Sequence, residues 1–315
     1  MADRAKGMSV KPVYSIILPT YRRADVLALC LEHLAALDYP LDQVEVRIYD
    51  NGAPQDSRHV AGPFADRLRL TYTVNEPGHG LGYSLCRGAA ECAGSRVVEL
   101  NDDALVPPDF LRRLDSLFDA DPTLGVVGVR ALEDGYARTG EGIGLIDGRS
   151  GEVVGNFDLP TDHPIEVEHV YGFCYAYRRE LLDRGGHHDS VLLAQDYSTG
   201  NRIETDHCLT ARRLGFRVVY DGSIAVRHLA RPRGDINERS LKWKLNHTRN
   251  TLYLYLKHFG PFGKRGLALR FALLMDVGVL SALRRPTVAN WRYFFTGLRA
   301  RGSACYHYLR YLVGI

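Results

Sequence analysis

The sequence contains no run of 18 residues free of charged side chains. A membrane-spanning helix needs about that length of apolar chain, so none is expected. The first twelve residues, MADRAKGMSVKP, hold no apolar stretch, which predicts no secretory signal peptide and a cytoplasmic protein. None of the six cysteines (Cys30, Cys86, Cys92, Cys174, Cys208 and Cys305) forms a C-x-x-C pair. That argues against a zinc knuckle or a disulfide scaffold and for buried, reduced thiols. The dinucleotide fingerprint G-x-G-x-x-G is missing. In Gly78-His79-Gly80-Leu81-Gly82 the third glycine comes one residue early, and no P-loop lysine follows. No G-x-S-x-G elbow points to an esterase. These gaps disfavour a dehydrogenase, a P-loop enzyme and a hydrolase of that type.

What remains is an ordinary globular composition, 45% hydrophobic and 24% charged over 315 residues. The length suits a domain of roughly 200 to 250 residues with an appendage. The net charge of +3 conceals an asymmetry. From Arg239 onward the chain carries +13, with Asp276 as the one acid, and the preceding part carries −10. An acidic part often holds a metal. A basic tail suits phosphates, an anionic membrane surface or nucleic acid.

Apolar runs at 13–18, 44–50, 68–74, 96–100 and 125–132 predict buried strands. Between them, 24–37 carries helical spacing, the Gly-rich stretch 78–82 opens a helix that continues to about Ala93, and Pro107-Pro108 starts one through Phe118. Alternation of this kind predicts a mostly parallel sheet flanked by helices. Ligands of such sheets bind beyond the carboxyl ends of the strands. Those ends carry Thr20-Tyr21-Arg22, Asp50-Asn51 and Asp102-Asp103. Further along, GLIDGRSGEVVG predicts a hairpin, and 170–182 a strand feeding a helix. A mobile loop is expected at 184–203, a helix at 205–216 and two short strands within 217–229. The chain after Asn237 reads as mostly helical.

Asn101-Asp102-Asp103 is the sharpest chemical signal. Adjacent carboxylates at a strand end repel, and a hard divalent cation relieves that repulsion. An Asp-rich turn capping the next helix explains the same residues. Glu204-Thr205-Asp206 opens a helix, where acids are favoured as caps; either carboxylate could equally act as a general base. His228 ends an apolar strand and is a metal ligand only if it faces Asp103.

Taken in order, these segments resemble family 2 glycosyltransferases with a GT-A fold. The resemblance rests on IILPTYRR (16–23), IYDNG (48–52), NEPGHGLGYSLCRGA (75–89) and ELNDDALVPPDFL (99–111). It continues through YGFCYAYRRELLDRGG (171–186), ETDHCLTARRLGFRV (204–218) and AVRH (225–228). It implies a Rossmann-like GT-A domain at 13–236 after an N-terminal tail at 1–12. The nucleotide-sugar half would fall at about 13–105, the acceptor half at about 106–236, and a basic helical region at 237–315. It also implies a UDP-, dTDP- or GDP-linked sugar donor, Mn²⁺ or Mg²⁺, and inversion at the anomeric carbon. By position, Pro19, Thr20, Tyr21 and Arg22 would line the nucleotide pocket, with Asp50 on the base and Asn51 and Gly80 nearby. Asn101-Asp102-Asp103 matches the DxD-type motif, Asp103 being the metal ligand and Asp102 lying near ribose or metal. His228 would reach the metal or diphosphate. Glu204 falls where the family has its base, and Asp206 matches the next acidic position. Tyr171, Gly172 and Phe173 would approach sugar and acceptor. Two departures stand out: Asn101 removes one carboxylate, and Glu204 replaces an aspartate. A nucleotidyltransferase or a non-catalytic nucleotide- or nucleic-acid-binding module is the alternative, with nucleic acid disfavoured as a partner.

The segment 237–257 carries a loose HxxRN-like match at His247, Arg249 and Asn250, which would touch diphosphate or acceptor or simply pack. Residues 266–283 are apolar with basic flanks. They read either as a helix on the inner face of a membrane or as one packed in a homodimer or against the catalytic domain.

Overall fold

The computed structural model describes residues 11–54, 56–193, 202–229, 241–274 and 279–314. The strands are β1 (Tyr14–Thr20), β2 (Val44–Asp50), β3 (Arg69–Val74), β4 (Arg96–Leu100), β5 (Ala104–Leu105), β6 (Leu124–Leu132), β7 (Leu145–Ile146), β8 (Val153–Val154), β9 (Ile165–Glu166), β10 (Cys174–Arg178) and β11 (Arg217–His228). The helices are α1 (Ala24–Ala35), α2 (Arg58–Ala61), α3 (Leu81–Glu91), α4 (Phe110–Ala120), α5 (Glu180–Asp183), α6 (Ile203–Arg213), α7 (Leu241–Phe259), α8 (Gly263–Leu273), α9 (Val279–Arg284) and α10 (Val288–Leu312).

The main sheet runs β3-β2-β1-β4-β10-β6-β11-β5, with β9 added on β11. β1, β2, β3 and β4 are parallel, and β6 and β11 are parallel to each other. β10 lies antiparallel between β4 and β6, so all six of those strands point the same way. Their carboxyl ends therefore share one edge of the sheet. β1 shows why: all seven of its residues are buried, as a strand covered on both faces requires. α1 covers one face with Val26, Leu27, Cys30, Leu31 and Leu34, spaced so that they fall on one side of a helix. Full burial of each such side chain contributes about 1.5–3 kcal/mol.

The expected hairpin forms as β7 and β8. Two expectations need correction. Residues 217–228 make one long strand rather than two, because the pairing with β6 only shifts register between Asp221 and Ala225. The apolar run 266–283 does not form one helix: α8 ends at Leu273 and α9 begins at Val279. Gly215, with φ +88°, ends α6 as anticipated. Of the loop expected at 184–203, residues 194–201 lie outside the described residues. The part before them is anchored rather than loose, since His188 and Leu192 are buried. The boundary at 236/237 also lies outside the described residues. Leu252, Tyr253, Leu254 and Tyr255 of α7 share a core with Leu181, Cys208 and Tyr177, so α7 packs against the same core as β10 and α6.

Candidate active site

One end of this sheet edge is built from β1, β2 and α3. Thr20 is buried and donates its hydroxyl to Asp102 Oδ2 at 2.7 Å. Arg22 takes a left-handed φ of +50°, which costs energy in a non-glycine residue and turns its exposed side chain outward over Tyr21. Asp50 accepts from the backbone of Gly52 and of Ser57, each at 2.7 Å, and from the Tyr72 hydroxyl. Both of its oxygens thus hold the loop that follows β2. Asn51 joins Asn75 and Ser84 in a buried network. Gly80 is the N-cap of α3. The structure therefore gathers Pro19, Thr20, Asp50, Asn51 and Gly80 at one end of the sheet edge, with Asp50 and Asn51 engaged in shaping it.

Asn101, Asp102 and Asp103 form the turn after β4, closed by the Ala104 amide on the Asn101 carbonyl at 3.1 Å. The two-residue β5 then pairs with the end of β11, His228 opposite Ala104. That pairing brings His228 Nε2 to 3.5 Å from Asp103 Oδ1 across a long sequence separation. His228 Nδ1 lies 2.6 Å from Glu133 Oε2, and the Tyr171 hydroxyl donates to the same carboxylate at 3.2 Å. The rings of Tyr171 and Phe173 pack on His228 with centroids 5.6 and 4.8 Å away.

Arg23 was not among the residues singled out from the sequence, yet it is central here. Its guanidinium bridges Asp102 and Asp103, at 2.6 Å from the latter. The signal was the doubled arginine of PTYRR. The outward turn at Arg22 is what sends Arg23 inward. Burial alone would raise the Asp103 pKa; the neighbouring His228 and Arg23 outweigh it and hold the carboxyl well below its usual range. His228 is shifted upward by the same carboxylates despite burial.

These residues pass a simple test as a cation site. Asp103 Oδ1 is buried and has no hydrogen-bond partner. A buried carboxylate oxygen in that state is costly unless a cation or water meets it. Beside it stands an imidazole nitrogen whose other nitrogen is held by a carboxylate, the arrangement that orients a histidine ligand. Asp103 and His228 fit a divalent ion, with Glu133 as the supporting group. A cavity of about 520 Å³ opens at this corner, lined by Arg130, Glu133, Arg138, Asp158, Arg227 and His228.

α6 separates the two candidate bases. Asp206 is buried, 2.7 Å from His258 Nε2 and 2.9 Å from Lys257 Nζ. Lys257 also meets Asp189 at 2.7 Å, and Tyr253 donates to Asp189 at 2.9 Å. Burial raises the Asp206 pKa, but the His258 hydrogen bond and the Lys257 charge bring it below the ordinary range. Glu204, two residues earlier, is half-buried and has no side-chain partner among the described residues. Burial shifts its pKa upward. A Cβ placed on Gly172 would stand 3.2 Å from Glu204 Oε2, so the glycine leaves the carboxylate room. The segment Tyr171-Gly172-Phe173 thus touches Glu204 on one side and His228 on the other.

A second buried group lies beneath β4. Glu99, His188 and His207 hold their ligating atoms within 4.8 Å of one another, a spacing a metal could use. The Glu99 carboxylate, however, already accepts from Tyr175 at 2.5 Å, Tyr177 at 3.1 Å and His188 at 2.6 Å. Three protein donors account for the geometry as a charge-assisted network. Burial, and then the charge of His188, push His207 down to about 3, whereas the Glu99 carboxylate outweighs burial and raises His188. Of the two alternatives left open for the HxxRN-like residues, the contacts of Arg249 and Asn250 are those of packing. Arg249 packs beside Asn250, whose amide donates to the Leu192 carbonyl at 3.0 Å.

A mostly parallel sheet flanked by helices in this order has the architecture of the GT-A type. The family model for glycosyl transferase family 2 matches residues 15–186, more than half of the chain, and the chain belongs to that family. Among curated relatives, the glucosyl-dolichyl phosphate glucuronosyltransferase of Haloferax volcanii is 24% identical over 225 residues, 68% of each protein. A validoxylamine A glucosyltransferase of Streptomyces hygroscopicus is 31% identical over 105 residues, 32% of this chain and 24% of that protein. Among solved structures, the mannosyltransferase PcManGT of Pyrobaculum calidifontis, in complex with GDP-Man and Mn²⁺, aligns with a TM-score of 0.57 at 18% identity. That alignment covers 94% of this chain and 85% of the other. S. aureus TarS in complex with UDP-GlcNAc aligns at 0.64 and 13% identity, covering 92% of this chain and 81% of that one. At these identities the structural likeness establishes the fold.

Proposed function

We propose that this glycosyltransferase moves a sugar from a UDP-, dTDP- or GDP-linked donor to an acceptor hydroxyl, with inversion and with a divalent metal. The observation that carries the reading is the convergence of Asp103 Oδ1, buried with no neighbour closer than His228 Nε2 at 3.5 Å, of His228 itself and of a Glu204 without a side-chain partner among the described residues, around Tyr171-Gly172-Phe173. Thr20 and Arg23 orient Asp102 and Asp103 toward the diphosphate. Glu204 takes the acceptor proton while the hydroxyl attacks the anomeric carbon from the face opposite the leaving diphosphate. The raised pKa of Glu204 makes it a better proton acceptor than an exposed glutamate. Mn²⁺ or Mg²⁺ held by Asp103 and His228 would supply Lewis-acid stabilisation of the leaving group. The nucleotide binds far from the reacting bond, and that binding energy positions the sugar. The cavity beside His228 gives the acceptor side its space.

The test is thermal stabilisation by a panel of nucleoside diphosphates, each with and without Mn²⁺. Ligand at about 100 times its dissociation constant should stabilise the fold by about 2.7 kcal/mol. One nucleotide should shift the midpoint only with metal, and Asp103→Ala should erase that dependence. A metal-independent shift would leave a nucleotide-binding module, and no shift with any nucleotide would remove the reading.

Glu133 acts through His228. Glu133→Gln should weaken Mn²⁺ binding about 10- to 100-fold in the nucleotide complex, read by calorimetric titration. Unchanged affinity would place the metal away from His228.

A further inference from the structure

We propose that the outward face of α10 docks on an anionic phospholipid surface. The face toward the protein is set by Gly297, Ala300, Arg301 and Ala304, which are buried. An ordinary surface helix would turn polar residues the other way. Here Val288, Phe295, Leu298, Tyr306, Leu309 and Val313 recur at helical spacing and are 44–69% exposed. They form an apolar stripe along the solvent side. Arg292, Arg299 and Arg310 are exposed and flank it.

Charge selects the occupant. α10 contains no acidic residue, and Asp276 is the one acid after Glu238. A second copy packed two-fold, α10 on α10, would bring arginines against arginines with no carboxylates on either helix to meet them. A bilayer rich in anionic headgroups meets both features. Apolar side chains enter the headgroup–acyl boundary, and the flanking arginines pair with phosphates. No helix among the described residues is long and apolar enough to cross a membrane, so the contact lies on the surface. The inference goes beyond the transfer reaction and stands without it.

The experiment is co-sedimentation of the full chain with vesicles of phosphatidylcholine, and with phosphatidylcholine containing about 30% phosphatidylglycerol. Partitioning into the anionic vesicles should exceed that into neutral ones at least about tenfold at ~0.1 M salt, and fall at ~0.5 M. Phe295→Glu with Leu309→Glu should lower it at least about tenfold, because both side chains leave the apolar boundary. Arg292→Gln with Arg299→Gln and Arg310→Gln should abolish the preference for anionic lipid. All five positions are exposed, so these variants should keep the wild-type thermal midpoint and nucleotide response. Equal binding to both vesicles, or binding to neither, overturns the proposal. So does a concentration-dependent dimer in sedimentation velocity, without lipid, that Leu309→Glu dissociates; the stripe would then belong to a second copy.

Discussion

Glu204→Gln is expected to lower turnover about 10²- to 10⁴-fold, the usual contribution of a positioned base, while the donor nucleotide binds within a few-fold of wild type. The amide keeps the shape of the side chain and removes its capacity to take a proton. Two further readouts separate a base from a structural residue. Glu204 is shifted upward by burial, so its ionised form is penalised in the fold. Under proton linkage such a group costs stability above its folded pKa, so Glu204→Gln should leave the denaturation midpoint unchanged or raise it at pH 7. The acid limb of kcat/KM should also fall at a pH above the ordinary glutamate value of about 4.3, and vanish in the variant's residual rate. A fully active Glu204→Gln would sink the assignment.

Asp206→Ala should do the opposite: it should cost the fold about 3–5 kcal/mol, as removal of one partner from a buried ion pair does. Lys257 would retain Asp189, while the His258 donor would lose its acceptor. The sign with pH follows from the direction of each shift. Asp206 is lowered, so its contribution is present above about pH 3.9 and is lost as pH falls through the folded value. Lys257 is raised, so its contribution is complete below about pH 10.4 and is lost above its folded pKa. The difference between wild type and variant in urea midpoint should therefore be flat from about pH 7 to 9, above the lowered range of His258, and shrink below about pH 4 as Asp206 protonates. A variant as stable as wild type but inactive would make Asp206 part of the chemistry and return Glu204 to a cap.

Much of the architecture was legible because it rests on local patterns. Short apolar runs marked β1 to β4, helical spacing marked α1, and the Gly-rich stretch 78–82 marked the opening of α3. Pro107-Pro108 preceded α4, and Gly215 ended α6. Strand ends in a parallel sheet must share an edge, so Thr20, Asp50 and Asp102 could be grouped from order alone. The long β11 was read as two strands because Gly222-Ser223 interrupts the apolar pattern, while the ladder to β6 simply shifts past it.

The sequence by itself determined the class of fold, the order of the motifs and the residue types at the cleft. Those depend on side-chain periodicity and turn chemistry, which act within a few residues. Only the tertiary structure decided which residues meet. β5 pairing with β11 set His228 beside Asp103 and Glu133 behind it. The left-handed turn at Arg22 exchanged its expected inward place with Arg23. α7 brought Lys257 and His258 to Asp206 and left Glu204 unclaimed. α10 spent its small residues on the core and left its large apolar ones outside. Each is a meeting of segments far apart in the chain. Local propensity carries no information on such meetings; the burial of charge and the pairing of strands decide them.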